Sequence, residues 1–100
     1  MLRYWEDVWV VIRNLNELGI EPLSACAGQD VLGITPYVIL SFDDMQKFVG
    51  TNTEGLTGKT TPGGVQWTKV VTLPNGDRVE VVASQEAKPS VSVSVEHFHA

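Results

Sequence analysis

Two histidines stand two residues apart near the end of the chain, His97 and His99. On an extended strand such a pair points to one side, and two imidazoles so placed can share a tetrahedral ion. Two ligands alone do not hold zinc, however, and the sequence offers no companion cluster to supply a third. The single cysteine, Cys26, lies in the small-residue run Ser24-Ala25-Cys26-Ala27-Gly28. A catalytic thiol would need a base such as His97 within hydrogen-bond reach. Flanked by alanines and a glycine, Cys26 is expected to pack as a small hydrophobe instead.

The stretch Gly55-Leu56-Thr57-Gly58-Lys59-Thr60 ends like a phosphate-binding loop. That motif requires a first glycine at position 53, where Thr53 stands, with a strand before it and a helix after it. Pro62-Gly63-Gly64 follows instead, so both sequence and context fail. Asp43 and Asp44 have the types needed for general acid/base work. They fall in the first turn of a predicted helix, where the dipole favours anions, and capping explains them better. No serine–histidine–carboxylate arrangement or dinucleotide-binding glycine fingerprint is present. The expectation is therefore no catalytic residue, no metal ligand set and no cofactor.

The elements that would position any site are read from periodicity. At 100° per residue, Tyr4, Trp5, Val8, Val11, Ile12, Leu15 and Leu18 share one stripe, so residues 2–18 form an amphipathic helix. Gly19 suits the left-handed position that ends it, Ile20 folds back on Leu15, and Pro22 prevents resumption. Residues 20–35 carry no clear period. The apolar run from Pro36 to Phe42 reads as a central strand buried on both faces. A short helix follows at about 42–49, with Ser41 as N-cap and Gly50 as its end. Residues 50–64, rich in glycine and threonine, read as a flexible loop.

Val65–Leu73 and Asp77–Ser84 flank Pro74-Asn75-Gly76 and predict a hairpin. A three-residue turn, with Gly76 left-handed and Leu73 opposite Asp77, puts Val65, Trp67, Val71, Leu73, Val79, Val81 and Ala83 on one face. Gln66, Thr68, Thr72, Arg78, Glu80 and Ser84 take the other. A last strand is expected at Ser90–Val95, where serine and valine alternate without a break. The predicted fold is a single α+β domain over 1–100, in the order α-β-α-β-β-β. It has a four-stranded, mostly antiparallel sheet with the long helix on its apolar face.

Composition narrows the function. The chain of 100 residues holds seven Lys+Arg against twelve Asp+Glu, a net charge of -5, and no two basic residues are neighbours. Without a basic cluster, neither nucleic acid nor an anionic membrane is an expected partner. One cysteine allows no internal disulfide, and the apolar run Val8–Ile12 is preceded by Glu6-Asp7, unlike an export signal. A reducing, cytoplasmic setting is expected. Four apolar residues fall off their elements' buried sides: Trp9 at the edge of the helical stripe, Val10 opposite it, and Val70 and Val82 on the polar face of the hairpin. These are the candidate interface residues. The expected function is a small non-catalytic protein–protein interaction module, of the accessory-factor kind carried by phages and mobile elements. It would bind a partner protein or itself. The alternative is a small metal- or ligand-dependent enzyme or binder, its site completed at a dimer interface by His97, His99 or Cys26.

Overall fold

A computed structural model of the chain describes residues 2–28, 33–50 and 53–86. Helix α1 spans Leu2–Glu17, followed by strands β1 (Ser24–Cys26) and β2 (Tyr37–Leu40), helix α2 (Phe42–Val49), and strands β3 (Leu56–Thr61), β4 (Gly64–Thr72) and β5 (Arg78–Glu86).

Local chemistry accounts for the helix ends. After α1, Gly19 N–H donates to the Asn16 carbonyl and Ile20 N–H to that of Leu15, the paired bonds of a Schellman stop. Ile20 and Leu15 are both buried, so the fold-back is also an apolar contact point. At the start of α2, Asp44 N–H donates to Ser41 Oγ at 3.1 Å. Asp43 and Asp44 occupy its first turn and Lys47 its last, each matching the helix dipole.

The turn between β4 and β5 follows from the buried face. Gly76 N–H donates to the Leu73 carbonyl at 2.9 Å, and Leu73 N–H to that of Asp77 at 2.8 Å. Gly76 has φ +88°, a conformation that side-chain-bearing residues rarely adopt. Val71 therefore faces Val79, Lys69 faces Val81 and Trp67 faces Ala83. Trp67, Leu73, Val79, Val81 and Ala83 are buried in one cluster with Val38 and Leu40 of β2. Val8, Val11 and Leu15 of α1, and Met45 and Val49 of α2, complete it. Both helices thus bury their apolar sides on the same face of the sheet.

The sheet differs from the expected one. It has five strands in the order β1-β2-β5-β4-β3 and is mixed: β2 runs parallel to β5, while the other neighbours are antiparallel. The element order among the described residues is α-β-β-α-β-β-β. Parallel pairing arises because β2 and β5 are joined through α2 and the β3–β4 hairpin, not by a tight turn. Residues 56–61, read as loop, are strand β3. Their glycine and threonine composition hides a strand whose partner is Trp67-bearing β4. β1 lies in the stretch that carried no period. The strand at β2 is buried on one face only: Val38 and Leu40 are buried, Tyr37 and Ile39 half-buried. The strand expected at 90–95 lies outside the described residues.

α1 also departs in detail. Trp5 and Leu18, placed on the buried stripe, are exposed, while Asp7, placed off it, is 3% exposed. Asp7 Oδ1 accepts a hydrogen bond from Asn75 Nδ2 at 3.1 Å. Asn75 Oδ1 in turn accepts from Asp77 N–H at 2.9 Å. The turn 74–76 therefore closes over one side of α1, which sequence periodicity has no means of showing.

Candidate protein-interaction surfaces

The four candidate interface residues divide between two surfaces. Trp9 is 56% exposed on α1. Val10, one residue on and rotated by about 100° around the helix, is half-buried and packs against the core. The structure does not bring those two together. Trp9's neighbour is Trp5, 46% exposed and one turn earlier, so that the two indoles occupy adjacent positions on the helix surface. Trp5 was missed because its angle falls within the apolar stripe. Its spacing of four from Trp9 was the available clue.

Val70 and Val82 meet on the second face of the sheet. The register pairs Val70 with Glu80 and Thr68 with Val82, so the valines are diagonal neighbours. β2 adds Ile39 beside Val82 and Tyr37 beside Glu80, and β1 adds Cys26 beside Tyr37. Val70 is exposed and Val82 half-buried. Tyr37 and Ile39 were hidden from sequence reading by the assumption that β2 is covered on both sides.

A shallow open groove lies where β4 continues past the start of β3. Glu54, Gly55, Lys69, Val70, Thr72 and Arg78 line it. The polar lining mixes both charges and presents no nucleophile paired with a base. Among the described residues no group of three histidine, cysteine, aspartate or glutamate side chains is placed to hold a metal ion. Cys26 is a half-buried free thiol on β1. His97 and His99 lie outside the described residues. The loop that echoed a phosphate site is strand: Gly58, Lys59 and Thr60 are mid-β3, with no helix N-terminus after them. Asp43 and Asp44 belong to the first turn of α2, as the cap predicts. No described helix is long and apolar enough to cross a membrane.

Compared with protein-family models, with curated protein sequences and with solved structures, the chain matches none.

Proposed function

We propose that this chain is a small non-catalytic protein-binding module whose contact surface centres on Trp5 and Trp9. The observation that carries this reading is the exposure of two tryptophans, one turn apart, on a helix that is otherwise packed and properly stopped. Val8, Val11 and Leu15 anchor α1 in the core without help from either indole. A tryptophan side chain can bury 150–250 Å², so roughly 100 Å² of each remains in water, and covering it contributes about 2–3 kcal/mol apiece. Exposed aromatic pairs of this size mark interfaces more often than chance surface.

The surplus of acidic residues, net -5, steers the chain toward a partner with basic character. The setting we propose is cytoplasmic, and the role that of an accessory factor which acts by occupying a partner's surface. Neither nucleic acid nor membrane is part of this reading, because the basic residues are few and scattered.

The test is Trp9→Glu. Circular dichroism should show an unchanged fold, since the side chain is mostly in solvent. Affinity for the captured partner should fall about thirtyfold or more, as for the loss of an aromatic anchor. Unfolding of Trp9→Glu, or a folded variant that binds its partner as tightly as before, removes the proposal.

A further inference from the structure

The sheet ends on β3, whose outer edge has no partner strand among the described residues. Thr57, Gly58, Lys59 and Thr60 are all exposed. The edge contains no proline and one charge, Lys59, so little guards it against pairing. The opposite edge, β1, is three residues long and has Ala25 and Cys26 half-buried. β3 is the better acceptor.

The chain itself carries a matching donor. Beyond Glu86 come Ala87-Lys88-Pro89 and then Ser90-Val91-Ser92-Val93-Ser94-Val95, six residues of unbroken alternation against the six of β3. Where this donor can reach is fixed by where β5 stops. Glu86 pairs with Gly64, and Gly64 with Thr61, so these three form one row across the end of the sheet. A strand added antiparallel to β3 would start in that row, three strand spacings from Glu86, or about 14 Å. The four residue steps from Glu86 to Ser90 span about 13–14 Å when fully straight. Nothing is left for rounding the Pro62-Gly63 turn. The chain's own edge is therefore out of comfortable reach, whereas the edge of another copy carries no such limit.

We propose that residues 90–95 of one copy add to the β3 edge of a second copy, and reciprocally, in a strand-exchanged dimer. This goes beyond the Trp5–Trp9 surface and does not depend on it. Exchange of an identical element is a low-cost route to a dimer, and edge addition takes its affinity from main-chain bonds. The alternation sets the register. Val91, Val93 and Val95 stand opposite Thr60, Gly58 and Leu56, on the side of the sheet that carries the helices. Ser90, Ser92 and Ser94 stand opposite Thr61, Lys59 and Thr57. Gly58 decides this choice: a Cβ there would lie 2.7 Å from Trp67 Cζ3, so the Trp67 ring lies over it and offers apolar surface toward the edge. A slip of one residue would turn the valines to the face of Thr57 and Lys59.

The experiment uses the full chain. Light scattering should give twice the 10.9 kDa of one chain. Val93→Asp, which alters no described contact, should weaken dimerisation by more than about tenfold by placing a charge against apolar surface. Two single-cysteine chains, Lys59→Cys and Ser92→Cys, each with Cys26→Ser, are then mixed and oxidised. A mixed disulfide joining one of each is expected. Trp9→Glu should leave the dimer mass unchanged, which separates this surface from the helix surface. A monomeric wild-type chain overturns the proposal, as does a dimer that survives Val93→Asp. A Lys59→Cys/Ser92→Cys double variant that closes its disulfide within one chain overturns it too.

Discussion

Replacing Asn75 by alanine removes an exposed side chain from a turn, yet the structure ties that side chain to a buried carboxylate. Asp7 is enclosed, Oδ1 accepts from Asn75 Nδ2, and Oδ2 has no hydrogen-bond partner. A hydrogen bond to an ionised group contributes about 1.5–3 kcal/mol, and losing the partner leaves the carboxylate desolvated. Loss of the bond from Asp77 N–H to Asn75 Oδ1 adds a smaller cost, since that site is exposed and water can replace it. Asn75→Ala should therefore destabilise by about 2–3 kcal/mol, where an ordinary surface change costs within about 0.5. In a domain of this size that lowers the melting temperature by roughly 8–20 °C. The same change made in an Asp7→Ala background should cost only a few tenths, because no buried carboxylate remains to be stranded. Urea titrations of the four proteins, followed by tryptophan fluorescence, yield a coupling free energy of about 2 kcal/mol. A coupling below about 0.5 kcal/mol would refute the reasoning, and with it the role of the turn as a clasp on α1.

Two further changes probe the sheet. Gly58→Ala places a methyl group against the buried Trp67 ring, whose Nε1–H is held by Gln85 Oε1 at 3.0 Å. It should cost about 1–3 kcal/mol by overpacking, read by chemical denaturation, and should be largely neutral in a Trp67→Leu background. Gly76→Val forces a β-branched residue to φ +88° and should cost about 1–3 kcal/mol. Gly76→Asn should recover most of that loss in the same thermal melt, because asparagine tolerates this conformation.

What could be read from sequence was what neighbouring residues decide among themselves. The stop at Gly19-Ile20, the Ser41 cap and the three-residue turn at 74–76 depend on a few adjacent side chains and on the pleat. The alternation around Trp67 and Val81 also carried its own register, because a one-residue error would have put valines in water. The edge strands had no such voice. β1 is made of small residues, and in β3 Gly58 lacks a side chain so that Trp67 can lie across it. The apolar residue that defines β3's inner face thus belongs to another strand.

The same division holds for the candidate surfaces. Periodicity located Trp9 near the rim of the helical stripe. How far that rim is covered depends on how α1 sits on the sheet, and this left Trp5 in water and drew Asp7 beneath the turn. Val70 and Val82 were recognisable as misfits on a polar face. Their company, Tyr37 and Ile39, came from the parallel pairing of β2 with β5. Sequence by itself determined the helices, the hairpin and the apolar face, since those follow from short-range sterics, capping and burial period. Tertiary structure alone decided the strand order, the parallel pair and the fate of each rim residue, since these rest on contacts between segments far apart in the chain.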